Sequence, residues 1–414
     1  MVATANNNIA QKPSLLILIL MSAIGPFGDT EYTPALPMIA QELHTTYATV
    51  ELTMTSYLLG YAISQLFYGP LSDRFGRRPI MMIGTLFFIL GSLICIFSHS
   101  IEILIAGRFV QALGACAGNV LSPAIVRDSF TEKERPKTYA KIMMAYALGP
   151  VLGPIVGSVL ISYFSWHSNF ILLLILGILL LFCVQAMLIE TKLDRNLDAM
   201  RFKHFFNNYA SLFRDPYYLS YILLLGTTFG VVYSCLVESP ALIEYVREHS
   251  TFAANLSVPE IFTIITLCVG GGYISGSAIA KTNSLTYTPN QIITSGLCVM
   301  LVANLALLYF AHSNIVNMTT MLTPIAIIFI GIGMIAPMAM SSAMLPFSDI
   351  SGSAAAMMGF GQMSIASGST VIISLVHSKS ATPMPDTFSI LIIAGILIHI
   401  GTIVSRPNKE RYHR

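Results

Sequence analysis

The sequence has 414 residues, of which 55% are hydrophobic and only 10% charged. Soluble domains typically carry about 25% charged residues, so this composition excludes a soluble enzyme and indicates a chain surrounded by lipid. The net charge of +2 arises from 22 Lys+Arg against 20 Asp+Glu, so no charge excess suggests nucleic acid as a partner.

Twelve apolar runs are long enough to cross a bilayer core, which needs roughly 20 residues per helix. These spans cover approximately residues 14–37, 49–70, 79–98, 101–125, 138–163, 169–190, 217–240, 257–280, 290–311, 319–342, 351–376 and 387–405. The first is too long and too acidic for a signal peptide. The sequence therefore predicts an all-α polytopic membrane protein with twelve transmembrane helices.

Basic residues collect on alternate connections, a bias that sets the orientation of the spans. Only Arg247 and Lys379 fall in connections on the sparsely basic side, so both termini are predicted to be cytoplasmic. The longest polar stretch runs from residue 190 to 216. It predicts an N-terminal six-helix bundle over 1–190, a cytoplasmic linker over 191–216 and a C-terminal six-helix bundle over 217–414. Such bundles are expected to be pseudo-symmetric, with a site between them at mid-membrane.

Span 1 contains two acids, Asp29 and Glu31, and span 4 contains Arg108. An intramembrane arginine costs about 2.5–3.5 kcal/mol on insertion scales, so it normally has a partner. From the helical rise, the acids lie roughly 22 and 25 Å, and Arg108 roughly 27 Å, above the cytoplasmic ends of their spans. These depths predict a charge pair, with Glu31 slightly favoured and the other acid left as the better proton carrier. Alternatively, Arg108 snorkels to the interface or Glu31 reaches outer water.

Two further patterns stand out. Residues 69–79 form a short loop with the sequence GPLSDRFGRRP. The bias of basic residues toward the cytoplasmic side explains its arginines but does not explain Asp73. Span 5 carries Gly149, Gly153 and Gly157 on one face, a strip where another backbone can approach closely, with Pro150 and Pro154 at the same period. We expect this strip to meet Gly272 and Gly276 of span 8.

Other polar and aromatic positions are weaker candidates. Glu238 precedes Ser239-Pro240 at the end of span 7 and is expected to be solvated. The residues that are candidates for the wall of a substrate cavity are Tyr32, Gln111, Tyr146 and Glu238. The six cysteines lie inside apolar runs, which suggests small core residues rather than a disulfide framework or a metal site.

Taken together, these features resemble the major facilitator superfamily. The loop at 69–79 is similar to the superfamily's signature loop between helices 2 and 3. Span 4 resembles its RxxQGxG motif, with Ala112 in place of a glycine. Span 5 resembles the motif of its drug:proton antiporters, with Ser158 in place of the last glycine. The bicyclomycin/chloramphenicol resistance (Bcr/CflA) branch is similar in YTPALP at 32–37, IVRD at 125–128, Trp166 with Phe170, and AMLPF at 343–347. That branch usually has an aspartate where Thr30 stands and an arginine where His167 stands.

The resemblance implies a monomer of the bacterial inner membrane that is not an enzyme and needs no cofactor or metal. It would export small amphipathic molecules by alternating access, driven by a proton gradient. Proton coupling would fall to Asp29, Glu31 and Arg108. Gating and conformational roles would fall to Gly69, Asp73, Arg74, Gly76, Arg77, Arg78, Asp128, Gly149, Pro150, Gly153, Pro154 and Gly157. An importer of a metabolite or siderophore on the same scaffold is the alternative.

Overall fold

The structure is a computed structural model that describes residues 12–131, 133–192, 209–249, 254–376 and 380–404. Within these ranges the secondary structure is helical and contains no strand. Eleven of the described helices are long and apolar enough to cross a membrane. These observations confirm the all-α polytopic prediction.

The described residues of the first half form seven helices. They are α1 (Leu15–Thr30), α2 (Leu36–Glu42), α3 (Tyr47–Phe75), α4 (Arg77–Ile96), α5 (Ile101–Ser129), α6 (Arg135–Tyr163) and α7 (His167–Met187). The second half contains α8 (Pro216–His249), α9 (Val258–Asn283), α10 (Pro289–His312), α11 (Met318–Met344), α12 (Ser351–Val376) and α13 (Pro383–Val404). Span 1 therefore corresponds to α1 and α2 together, and each later span to one helix.

Span 1 is broken in its second half, between α1 and α2. A single 3-10 turn, Thr33–Ala35, joins the two helices, with Pro34 inside it. Proline has no N–H to donate, and the last carbonyls of any helix lack intrahelical partners. The break therefore leaves main-chain oxygens near the end of α1 available to another donor in the second half of span 1.

Helix α3 is the span that falls outside the eleven apolar helices. Its 29 residues are long enough, at about 43 Å. Its polar side chains, among them Glu51, Thr53 and Gln65, are buried in protein rather than in lipid. This follows from its position, because α3 packs against α5 on one side and against α12 of the other half on the other.

Two large clusters of buried apolar side chains form the interior, one from each half. The first includes Tyr57, Phe88 and Phe170, and the second includes Phe329 and Phe388. The first cluster also takes in α8 and α12 side chains, so the halves pack together through apolar contacts. Residues 193–208, within the expected linker, and Lys379 lie outside the described residues, so the division into two bundles stays a prediction.

The interpretation of all six cysteines as core residues is wrong for Cys298. Its side chain is exposed on α10, whereas Cys95, Cys116 and Cys235 are buried. The outer face of a spanning helix contacts lipid, which a small apolar thiol suits as well as a core does.

Candidate functional site

Arg108 lies fully buried at the break in span 1. Its guanidinium donates to the carbonyl oxygens of Gly28 at 2.9 Å and Asp29 at 3.4 Å, which the break leaves available. It also lies 4.1 Å from the ring centroids of Tyr32 and Tyr57, close enough for cation–π attraction. The arginine is therefore held by main-chain oxygens and aromatic faces.

Two sequence predictions about Arg108 are corrected by this arrangement. The arginine does not snorkel, and it forms no ion pair with Glu31 or Asp29, since its hydrogen bonds go to carbonyls and to the Gln111 side chain. The depth estimated from the helical rise did place Arg108 beside the correct part of span 1. The carbonyls freed by the break were not foreseen, because the sequence was read there as one continuous helix.

Asp29 borders a small cavity between the two halves. The cavity has a volume of about 10 Å³ and is lined by Gly25, Pro26, Asp29, Leu58, Tyr61, Tyr146, Tyr233 and Met363. A volume of this size admits roughly one water molecule. The Asp29 carboxylate is only 3% exposed and is hydrogen-bonded by Tyr233 of α8. Asp29 of the first half and Tyr233 of the second half thus meet at this cavity.

Of the four cavity candidates, only Tyr146 lines this cavity. Tyr32 and Gln111 are buried beside Arg108 instead, where Tyr32 bonds Thr53 at 2.7 Å and Gln111 donates to Ser92 at 2.8 Å. The sequence missed Tyr61 and Tyr233, which carry no signal that separates them from packing tyrosines.

Two acids are buried: Glu31, for which outer water was the alternative, and Glu238, which was expected to be solvated. Glu31 is 0% exposed and Glu238 is 2% exposed. The Glu31 side chain is enclosed by protein, so the alternative that it reaches outer water is wrong. The expectation for Glu238 is wrong because α8 continues through Pro240 to His249, so Glu238 does not lie at its end.

The charged loop forms a compact network at one end of the bundle. Arg77 is 1% exposed and pairs with Asp73 at 2.7 Å and with Asp128 at 3.0 Å. Its guanidinium also donates to Ser72. The two aspartates lie on α3 and α5, so this single arginine joins the ends of three helices.

A second set of contacts fixes the start of α4 at the same end. Gly76 adopts a φ of 105°, a left-handed conformation that favours glycine. The Glu190 carboxylate accepts from the N–H groups of Arg77 at 2.9 Å and Arg78 at 3.3 Å. Carboxylates at a helix N-terminus are favourable because they meet free N–H groups and the positive end of the helix dipole. The sequence missed Glu190, whose only signal was its place as the last residue of span 6. Neither Gly69, which has open space around it, nor Arg74 joins these contacts.

The glycine strip of α6 contacts α1, so the predicted meeting of this strip with Gly272 and Gly276 is wrong, although α6 and α9 do pack against each other at Val151 and Gly270. A Cβ on Gly149 would lie 2.8 Å from the Phe27 nitrogen, one on Gly153 3.0 Å from the Glu31 nitrogen, and one on Gly157 would overlap the Glu31 carbonyl oxygen. Gly272 and Gly276 instead approach the α11 backbone at Ala326 and Ile330. A strip of small residues shows that some backbone comes close, but it does not say which one.

A larger cleft lies at the end of the bundle opposite to Arg77. Its volume is about 620 Å³, within the usual range for small-molecule sites. Its lining residues come from both halves and are Pro34, Pro37, Met38, Gln41, Ile161, Ser162, Pro240, Ile243, Glu244, Arg247, Glu248, Ala254, Val258 and Phe262. The wall is mostly apolar with one charged edge, which suits an amphipathic molecule.

Comparisons with known proteins agree with this architecture. Residues 15–373 match the sequence profile of the Major Facilitator Superfamily. The chain belongs to this superfamily. It is 30% identical over 388 residues to multidrug resistance protein D of Escherichia coli strain K12, covering 93% of each chain. It is 26% identical over 404 residues to a bicyclomycin resistance protein homolog of Haemophilus influenzae, covering 96% of this chain and 97% of the relative.

The fold of this superfamily member is also found among solved structures. The partially occluded, inward-open xylose transporter XylE from E. coli superimposes with a TM-score of 0.71 at 13% identity, over 95% of this chain and 98% of that one. At this identity the likeness concerns the fold alone. It confirms the predicted major facilitator architecture, and the chain is a multi-pass membrane protein related to transporters.

Proposed function

We propose that this protein exports small amphipathic molecules across the bacterial inner membrane in exchange for protons. Its E. coli and H. influenzae relatives are named for multidrug and bicyclomycin resistance, which favours export over import. The observation that carries the coupling is the position of Asp29, a buried acid in a small polar cavity that touches both halves.

In this proposal Asp29 is the residue that takes up and releases the proton. Its carboxylate borders the cavity and is bonded by Tyr233, so a change of its charge acts directly on a contact between the halves. Glu31 lines neither of the two cavities described above, and its backbone packs against Gly157 of α6. We therefore assign Glu31 to the α1–α6 contact and Asp29 to coupling.

Arg108 supplies a fixed positive charge beside the cavity. Because its guanidinium is bound to main-chain oxygens, it stays in place whether Asp29 is protonated or ionised. A proton that enters along the membrane potential contributes about 2.3 kcal/mol per 100 mV, which is enough to drive uphill export of a neutral molecule.

The remaining motifs fit this cycle in one orientation. With both termini cytoplasmic, the Arg77 network lies at the cytoplasmic end, where it would stabilise one closed arrangement of α3, α4 and α5. The cleft of about 620 Å³ then lies at the outer end and would serve as the exit. The protein would work as a monomer of two six-helix bundles, without a cofactor, its energy source being the proton gradient.

The test is proton-driven transport in inside-out membrane vesicles, with ethidium and labelled chloramphenicol as probes. Asp29→Asn should abolish gradient-driven accumulation of any probe that the parent accumulates, since the amide cannot carry the proton. Glu31→Gln is the matched control and should retain coupled transport. If Asp29→Asn transports at the parental rate, the coupling proposal is wrong. If the probe moves out of the vesicles under the same gradient, the protein is an importer.

A further inference from the structure

The two halves of the molecule meet along two helix pairs that differ at the end opposite to Arg77. The α3–α12 seam joins helix α3 of the first half to helix α12 of the second, and the α6–α9 seam joins α6 to α9 in the same way. The contacts along each seam show which side of the molecule is closed at that end.

Hydrogen bonds hold the α3–α12 seam together at the end opposite to Arg77. Ser374 donates to the Ala48 carbonyl oxygen at 3.0 Å, and Ser367 donates to the Thr55 carbonyl oxygen at 3.1 Å. The hydroxyl groups of Thr55 and Thr370 lie 2.7 Å apart. Polar side chains that bond from one helix to another stabilise helix contacts within a bilayer. This seam is therefore closed where α3 begins.

The same seam continues toward the other end of the molecule. A Cβ on Gly359 of α12 would overlap the amide of Gln65 of α3, so the two helices are also in close contact there. From Ala48 to Gln65 the contact covers about 26 Å at the rise of an α-helix. This length is close to the thickness of a bilayer core, which is about 30 Å.

The α6–α9 seam is held by weaker contacts that lie deeper in the molecule. A Cβ on Gly270 of α9 would lie 3.7 Å from the Val151 side chain of α6, an ordinary van der Waals distance. Among the described side chains, no hydrogen bond joins α6 to α9. This seam can therefore separate more easily than the hydrogen-bonded one.

Helices α6 and α9 diverge toward the end opposite to Arg77. Ile161 of α6 and Phe262 of α9 both line the cleft of about 620 Å³. Along its own helix, Ile161 lies about 15 Å beyond Val151, and Phe262 lies about 12 Å beyond Gly270. The two helices thus touch near the middle of the molecule and border a cleft at this end, where α3 and α12 are in contact.

Both helices that border the cleft also lie at the periphery of the bundle. Leu152 and Val159 of α6 are exposed, as are Leu267 and Ile274 of α9. Apolar side chains exposed on spanning helices contact the acyl chains of lipid, which are as apolar as leucine. A gap between α6 and α9 therefore opens toward lipid. Residues 250–253, which join α8 to α9 at this end, lie outside the described residues and are not part of the proposed opening.

We propose that the outer opening of the transport pathway lies between α6 and α9 and faces the lipid, so that an amphipathic substrate passes sideways into the outer leaflet. The α3–α12 seam stays closed at that end while the α6–α9 seam opens. This inference deepens the proposed function, and it rests on that function for the orientation of the protein and the direction of transport.

The lining of the cleft suits an amphipathic substrate on this route. The apolar wall includes Met38 and Phe262, and the charged edge consists of Glu244, Arg247 and Glu248 on the last turns of α8. Transfer of apolar surface into water is unfavourable in proportion to its area, and passage into lipid avoids this cost. The polar part of the substrate can stay beside the charged edge while its apolar part enters the leaflet.

The first test locks each seam in turn with a short bifunctional methanethiosulfonate reagent, whose links are removed by reduction. The six native cysteines are replaced beforehand. Ser162→Cys with Val258→Cys links α6 to α9 across the cleft. Ala48→Cys with Ser374→Cys links α3 to α12 at the same end and is the matched control. Transport is measured in membrane vesicles before linking, after linking and after reduction.

Linking α6 to α9 should abolish transport, and reduction should restore it, because the opening cannot form while the link is present. Linking α3 to α12 should leave transport at the rate of the unlinked variant. Recovery after reduction shows that a loss of transport is due to the link and not to misfolding. Transport that persists with the α6–α9 link, or that is lost with the α3–α12 link, overturns the proposal.

The second test asks whether the opening faces lipid, by fluorescence quenching of a dye attached to Val258→Cys in proteoliposomes. Quenching by phospholipid brominated near the head-group end of its chains is compared with quenching by aqueous iodide. Leu267→Cys, on the exposed face of α9, is the control for lipid contact, and Ser165→Cys, exposed after α6, is the control for water contact.

Brominated lipid should quench the dye at Val258→Cys about as strongly as the dye at Leu267→Cys. Stronger quenching by iodide than by lipid, or quenching by neither, overturns the lateral opening. This measurement involves no transport and does not depend on Asp29. If Asp29→Asn retains coupled transport but lipid quenching is observed, the coupling proposal alone is wrong, and the opposite pair of results refutes the lateral opening alone.

Discussion

Replacing Gly157 by alanine tests how α6 packs on α1. The new methyl group would overlap the carbonyl oxygen of Glu31, an atom that cannot rotate away as a flexible side chain would. Gly153, one turn earlier, also lies close to α1, so α6 cannot shift locally without separating from α1 over two turns. The substitution therefore forces the two helices apart beside Asp29.

Overpacking a close contact costs typically 1–3 kcal/mol, and the contact with rigid backbone places Gly157→Ala near the upper value. The gain in helix propensity from glycine to alanine offsets about 1 kcal/mol. The net expectation is a loss of about 2 kcal/mol, or roughly thirtyfold in the ratio of folded to unfolded protein.

The assay is reversible unfolding in mixed detergent micelles, followed by circular dichroism. Gly271→Ala on α9 is the matched control, because nothing lies within 4 Å of the position that its new methyl group would take, and it should be as stable as the parent or slightly more stable. The α1–α6 packing described above is refuted if Gly157→Ala proves no less stable than Gly271→Ala.

Two further outcomes are expected outside the lipid-buried centre. Arg77→Lys should lower transport at least tenfold with normal membrane insertion, because one ammonium cannot hold both aspartates in the fork that a guanidinium provides, while Arg74→Lys should transport as the parent does. Equal transport by the two variants would contradict the role of the network. Hydrogen bonds from Lys12 and then Thr131 lower the pKa of Glu134 to about 2. The lowered pKa increases the free energy of unfolding at pH values above 4.5, the usual pKa of a glutamate, and this contribution is lost as pH falls toward 2. The pair is 45% exposed on each side, so the effect is small, and the melting temperatures of Glu134→Gln and the parent should converge between pH 7 and pH 3; divergence would show the opposite sign.

The positions of the spans could be predicted because lipid imposes a length and a polarity on each helix. The weakest case was α3, whose polar side chains lower its hydropathy, since those side chains are buried against α5 and α12 rather than exposed to lipid. Helix ends were less predictable. Ser239-Pro240 was interpreted as the end of span 7, whereas the helix accommodates Pro240 and ends at His249.

The sequence predicted which residues of the candidate site lie near one another, but not which contacts they make. Helical rise alone brought Arg108 to the level of Asp29 and Glu31, yet its bonds to main-chain oxygens depend on the end of α1 at Thr30. Glu51 was missed because an acid three residues into a span resembles an interfacial residue. Its burial comes from the second half of the chain, where the carbonyl oxygen of Val237 accepts a hydrogen bond from Tyr47, and only the packing of the two halves brings these residues together.

The hydrogen bonds that hold Arg108 affect which positions of α1 can carry an acid. Its hydrogen bonds to α1 use the carbonyl oxygens of residues 28 and 29, atoms that every amino acid supplies. The carboxylate can therefore move by one position along α1, from the site of Thr30 to that of Asp29, while the cation keeps its place. A natural lineage can thus relocate its titrating side chain by two substitutions, one that gains the acid and one that loses it, without rebuilding the counter-charge that serves it.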